Sequence, residues 1–170
     1  WSWSSVVCSA DPAIVEAVSK QGAKLAHTRN LFCHEPEILL AERLLHLLGA
    51  DGKVFFTNSG TESNEAAYKL VRRHAGPDRT YIVAADRSFH GRTMGSLAFT
   101  SSKCTQQQGF FPTMPGVTHV PYPNSYRPLF AGANQGKAVL DYIDTVLFPS
   151  NVPASEVASV LVEPIQGAGG

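Results

Sequence analysis

The chain has 170 residues, 44% of them hydrophobic and 16% charged, with 14 Lys and Arg set against 14 Asp and Glu. A nucleic-acid binder that neutralises phosphates carries a basic excess, and a disordered chain combines high net charge with few aromatics; neither pattern is present. The length suits one ordinary domain with a sizeable core, but Gly167-Ala168-Gly169-Gly170 follows an apolar run without a closing element, as expected of a piece of something larger. Cys8, Cys33 and Cys104 form no C-x-x-C pair, so neither a disulfide framework nor a zinc ribbon is expected, and the expected setting is a reducing one, cytoplasm or mitochondrial matrix. No apolar run approaches the roughly 20 residues that span a bilayer.

In chain order, Asp11-Pro12 supplies an N-cap and a proline at the first helical position. Ile14, Ala17, Val18 and Leu25 follow at helical spacing, predicting an amphipathic helix over residues 12 to 26. A second helix is expected from Pro36 through Leu39, Leu40, Leu44, Leu47 and Leu48 to a glycine stop at Gly49. Residues 54 to 57, a short apolar run between turn signals, are expected to form a strand buried on both faces. Asn58-Ser59-Gly60 then gives way to a helix from Thr61 through Val71, closed by Gly76-Pro77. Further strands are expected at 81 to 85, 95 to 100 and 117 to 120, with long surface loops over 101 to 116 and 121 to 135. A helix over 135 to 147 and a last buried strand over 157 to 162 complete the chain. Helices alternating with apolar strands predict an α/β layered fold with a largely parallel sheet. The expected organisation is an N-terminal helical segment over residues 1–50, followed by an incomplete larger domain over 51–170.

Chemistry concentrates in three places. Ser59 with Glu62 forms an S-x-x-E capping box, and the amides of Gly60 and Thr61 face outward at the positive end of a helix, where a phosphate can sit. The same five residues, 58 to 62, would also serve as a plain helix cap. In Ser88-Phe89-His90-Gly91-Arg92-Thr93, Phe89 offers a flat face to an aromatic ligand and Arg92 a planar fork that matches a carboxylate. A core Phe, a solvated Arg and a turn glycine are the plain alternative there, and His90 reads as a loop histidine rather than a general base. Glu163, beyond a buried strand, stands where open α/β sheets place their ligands, though it would also serve as a strand terminator. His34-Glu35-Pro36 lacks the second histidine of a zinc helix, and Gly132-Ala133-Asn134-Gln135-Gly136-Lys137 is one residue short of a P-loop. No G-x-G-x-x-G follows a strand and no G-x-S-x-G is present, so dinucleotide dehydrogenases and α/β-hydrolases fit poorly.

Taken together, Asp51-Gly52-Lys53-Val54-Phe55-Phe56-Thr57-Asn58-Ser59-Gly60-Thr61-Glu62, Phe89-His90-Gly91-Arg92-Thr93 and Glu163-Pro164-Ile165-Gln166-Gly167 resemble the signatures of the class III, pyridoxal-phosphate-dependent aminotransferases. The resemblance runs more weakly from about Ala10 to the end of the chain and includes Gly116-Val117-Thr118-His119-Val120-Pro121-Tyr122-Pro123. It implies part of the large domain of fold type I transferases and pyridoxal 5'-phosphate as cofactor. By the same resemblance, the amides of Gly60 and Thr61 hold the cofactor phosphate, Phe89 stacks on the pyridine ring, and Glu163 lies near cofactor and substrate. Arg92 matches the position that grips the substrate carboxylate in the acetylornithine and ornithine branches.

The implied activity moves an amino group from an ω-amino donor, of 4-aminobutyrate or acetylornithine type, to a 2-oxo acid such as 2-oxoglutarate, in a homodimer, with no nucleic-acid or membrane partner. The Tyr122-Pro123 loop and the stretch from Leu147-Phe148-Pro149 to Glu156 lean toward 4-aminobutyrate-like relatives. Many relatives read Glu where this chain has Ala168, which bears on how a second substrate is admitted. The family's cofactor-bearing lysine lies well past the Glu-Pro-Ile-Gln-Gly segment, and none of Lys20, Lys24, Lys53, Lys69, Lys103 or Lys137 sits in its context. No residue here is therefore assigned that role. These 170 residues alone are expected to be inactive, and a truncated or pseudo-enzymatic product is the alternative reading.

Overall fold

The computed structural model describes residues 10–28 and 32–168. The opening Trp1-Ser2-Trp3-Ser4-Ser5, Cys8 and the closing Gly169-Gly170 lie outside the described residues. The chain divides into two compact units, Trp1–Phe56 and Thr57–Gly170.

The first unit carries two helices. Helix α1, Pro12–Lys24, starts where Asp11 accepts a hydrogen bond from Ala13 N at 2.8 Å, with proline at the first turn. Helix α2, Glu35–Leu48, ends at Gly49, whose φ of 67° lets its amide donate back to the carbonyls of Leu45 and His46. Neither helix buries a residue. In α2 the side chains of Ile38, Leu39, Leu40, Leu44, Leu47 and Leu48 are all exposed.

The second unit is built on three parallel strands: β1, Tyr81–Ala85; β2, Val117–Val120; and β3, Val157–Leu161, in the spatial order β2-β1-β3. The central strand β1 is buried on both sides, as its unbroken apolar sequence requires. On one face Val83, Val120 and Val157 pack with Leu147 and Val152. On the other, Ile82, Ala84 and Phe99 pack with Tyr68, Val71 and Leu161. A bulge between Tyr81 and Ile82 in the β1–β3 register sets Val157 opposite Tyr81 but Ser159 opposite Ile82. The extra residue shifts the alternation, so Val157 serves one face and Leu161 the other. Arg79 Nε donates to Val157 O at 2.8 Å beside this irregularity.

Helix α3, Gly60–Ala75, and helix α4, Met94–Phe99, lie toward the Phe99 face; helix α5, Cys104–Gln107, follows. Helix α6, Gln135–Tyr142, runs into a π-helical turn, Ile143–Leu147, and then α7, Phe148–Ser150. Pro149 donates no amide to the ladder and Thr145 Oγ1 donates to Asp141 O at 2.6 Å, two features that loosen regular α geometry there. A 3₁₀ turn, Ala154–Glu156, leads into β3.

Four sequence expectations are corrected. Residues 54 to 57 form no strand, and Phe55 is exposed: a short apolar run becomes a strand only beside another that completes its ladder. Residues 95 to 100 are not a strand but the buried helix α4, the ambiguity inherent in short apolar runs. The loop expected over 101 to 116 contains α5. The parallel sheet, both N-terminal helices, α3, and the strands at 81 and 117 stand as expected; a strand forms at 157 too, but it is not the buried one expected, because it pairs on one side only among the described residues and leaves Val160 and Val162 exposed.

Candidate cofactor site

The site is assembled at the N-terminus of α3 and the carboxyl ends of the three strands. Ser59 Oγ accepts from Glu62 N at 3.3 Å, and Glu62 Oε2 reaches back to Asn58 N at 2.7 Å, one residue earlier than a strict capping box. Ser63 N returns to Ser59 O at 3.0 Å, which leaves the amides of Gly60 and Thr61 as helix-end donors without a partner in the helix. Such donors, at the positive end of a sixteen-residue helix, fit a phosphate.

The Phe89–Arg92 loop leaves β1 and returns along α3. Its backbone is tied down by Thr100, wholly buried, whose Oγ1 accepts from His90 N at 2.9 Å and Gly91 N at 3.2 Å. Asn64 of α3 donates to His90 O at 2.6 Å. Gly91 has φ 137°, and a Cβ there would overlap the Thr61 and Ser96 hydroxyls, so only glycine lets the loop come this close to α3. Phe89, 38% exposed, presents its ring at the surface, with the Arg92 guanidinium 6.0 Å from the ring centroid.

Glu163 closes the third side. Its Oε1 accepts from Phe89 N at 3.4 Å, its backbone carbonyl accepts from Tyr122 OH at 3.1 Å, and its Oε2 is buried without a partner. Gln166 Nε2 donates to Asp86 O at 3.2 Å, which ties the Glu-Pro-Ile-Gln segment to the end of β1. His90, 6% exposed, has an unpartnered buried Nε2. Burial holds its imidazole below the usual 6.5, Glu163 opposes this, and His119 reinforces it.

The three sequence signals therefore meet: Thr61 bonds to Thr93 and Ser96, and Phe89 bonds to Glu163. A flat ring bearing a phosphate fits this set, which offers two helix-end amides without a partner in the helix, an exposed aromatic face and an unpaired buried carboxylate oxygen. Sequence reasoning missed Asn64, Glu65, Ser96 and Thr100. For Asn64 and Glu65 the available signal was spacing, four residues after Gly60 and Thr61 on one helix. No group of His, Cys, Asp and Glu suited to a metal ion is present among the described residues. No described helix is long and apolar enough to cross a membrane.

The chain belongs to the class III aminotransferases, whose family model matches residues 2–170. It is 44% identical over 161 residues to the acetylornithine aminotransferase of Streptomyces coelicolor, a match covering 95% of this chain and 34% of that protein. It is 39% identical over 162 residues to the isoleucine 2-epimerase of Lentilactobacillus buchneri, covering 92% of this chain and 35% of that one. The taurine:2-oxoglutarate aminotransferase of Bifidobacterium kashiwanohense, solved with PLP and glutamate, matches with a TM-score of 0.79 at 29% identity, over 93% of this chain and 36% of that one. The expected α/β fold, part of the fold type I large domain, is borne out, and family membership implies pyridoxal phosphate chemistry. The chain spans about a third of the length of the curated relatives it matches.

Proposed function

We propose that the protein carrying these residues is a pyridoxal-phosphate-dependent transaminase. Its donor would be an ω-amino compound bearing a carboxylate, of acetylornithine or 4-aminobutyrate type, and its acceptor a 2-oxo acid such as 2-oxoglutarate. The observation that carries the reading is the convergence of Gly60-Thr61, Phe89-Arg92 and Glu163 at the carboxyl ends of parallel strands, where α/β sheets bind ligands. The acetylornithine aminotransferase relative supports the donor class.

In this reading the amides of Gly60 and Thr61 hold the cofactor phosphate, and the Phe89 ring covers one face of the pyridine and excludes water from it. Arg92 holds the donor's carboxylate in a two-pronged grip, which fixes the amino end at the reacting position. Glu163 lies beside cofactor and substrate, its position set by Phe89 N and Tyr122. When bound, pyridoxal phosphate supplies the electron sink that makes amino-group transfer feasible. The cofactor-bearing lysine is assigned to none of these residues, and the active unit is read as a homodimer.

Arg92→Ala tests the donor assignment. The expected result is a KM for carboxylate-bearing donors raised roughly 10- to 100-fold, the loss of a charge-assisted pair, with cofactor affinity nearly unchanged. Equal losses in donor and cofactor binding would count against the role of Arg92.

A further inference from the structure

Thr61 and Glu65 stand four residues apart on α3, so they share a face, and both meet the corner where the Phe89–Arg92 loop turns into α4. Thr93 occupies the N-cap position of α4, yet its side chain makes no capping bond to that helix. It donates instead to Glu65 Oε1, and the same oxygen accepts the α4 amide Ser96 N at 3.1 Å. Glu65 thus caps α4 from another element. A carboxylate that only accepts also sets the hydroxyls' direction: the single proton of Thr93 goes to Glu65, so its oxygen is left to accept from Thr61 at 3.2 Å or Ser96 at 2.8 Å. The space is matched to this, because a Cβ on Gly95 would overlap the Glu65 carboxylate as one on Gly91 would overlap the Thr61 hydroxyl.

We propose that Glu65 is a positioning residue. Through Thr93 and Ser96 it holds the loop carrying Phe89 and Arg92 in fixed relation to the Gly60-Thr61 amides, so that ring face, carboxylate fork and phosphate seat are set as one unit. This rests on the functional reading above. It goes beyond that reading in tying cofactor affinity and donor recognition to a side chain that touches neither.

The test uses the full-length enzyme that carries these residues, with Glu65→Gln, Thr93→Val and Thr93→Ser, and Asp141→Asn as a surface control. Four quantities are read: the melting temperature without cofactor, the dissociation constant for pyridoxal phosphate, and, at saturating cofactor, its visible circular dichroism and the KM for a carboxylate-bearing donor against a carboxylate-free amine. Glu65→Gln and Thr93→Val are expected to weaken cofactor binding roughly tenfold, the scale of one bond to a charged group. Both should alter the dichroism and raise the KM selectively for the carboxylate donor, whereas Thr93→Ser, which keeps the hydroxyl, returns all three toward wild type. Variants that melt earlier but keep the wild-type dichroism and KM ratio would overturn the proposal and leave Glu65 a cap of α4 alone. Should both disruptive variants fail to fold, amide exchange in the wild type decides: added pyridoxal phosphate should slow residues 88 to 96 together with the start of α3, and an unaffected loop overturns the proposal. A wild-type enzyme that binds no pyridoxal phosphate refutes the functional reading; one that binds it equally well in every variant, with dichroism and KM ratio unchanged, refutes only the role of Glu65.

Discussion

His90 is the buried titratable group of the site, and its environment makes the fold sensitive to acid. Burial holds its pKa below the usual 6.5, against the pull of Glu163 and with the push of His119. The unfolded chain therefore takes up a proton near and below 6.5 that the folded chain refuses. The His90 contribution is fully present above 6.5 and is lost as the pH falls through that value toward the lower folded pKa. Lowering the pH from about 7 to about 5 should depress the melting temperature of the wild type more than that of His90→Gln, whereas equal slopes in the two melting series would refute the sign. At this scale the sequence was partly legible. Gly60, Thr61, Phe89, Arg92 and Glu163 announce themselves through capping, aromatic and charge chemistry, and the structure gathers them. Glu65 and Thr100 do not, because Glu65 matters only once Gly91 and Gly95 let the loop lie against α3, and Thr100 only through backbone amides nine and ten residues earlier.

At the scale of elements, the close approach of the Gly91 loop to α3 is the constraint most exposed to test. Gly91→Ala combines a φ of 137° with overlap on the Thr61 and Ser96 hydroxyls, and should destabilise the protein by about 3 kcal/mol. Gly22→Ala makes the opposite case. A Cβ at that interior position of α1 meets nothing within 4 Å, so the change should stabilise by about 0.5 to 1 kcal/mol. Chemical denaturation of both variants decides the matter, and a Gly91→Ala protein as stable as wild type would mean the loop does not pack as described. Elements with strong end signals were legible: α1 from Asp11-Pro12, and α2 from its leucine spacing and Gly49. Residues 54 to 57 and 95 to 100 were not, since four to six apolar residues carry no period and only their neighbours decide between strand, helix and neither.

At the scale of the whole molecule, apolar surface remains uncovered. The leucines of α2 are exposed, as are Val160, Val162 and Ile165 in and beyond β3, which pairs on only one side among the described residues. Surface of this kind suits burial by a second subunit or by further chain, consistent with the proposed homodimer and with relatives about three times as long. Affinity arithmetic points the same way. A helix end gives a phosphate about 1 to 2 kcal/mol and a stacked ring about 1, while even millimolar binding needs about 4. In the proposed reading these residues orient the cofactor and give it only part of its affinity.

In the proposed function the α3 N-terminus receives the cofactor phosphate, and Gly60 allows this to be tested by removing one hydrogen-bond donor. Gly60 is the first residue of α3, where proline is tolerated, and Ser59 before it is already extended at φ −156° and ψ 161°, as a residue preceding proline must be. Gly60→Pro should therefore keep the helix while deleting the amide donor, and Gly60→Ala keeps the donor while adding a Cβ that meets no protein atom within 4 Å. The deciding measurement is the pyridoxal phosphate dissociation constant of these two variants in the full-length enzyme. Binding should be roughly tenfold weaker in Gly60→Pro than in Gly60→Ala at equal melting temperature, and equal affinities would contradict a phosphate seat at this helix end.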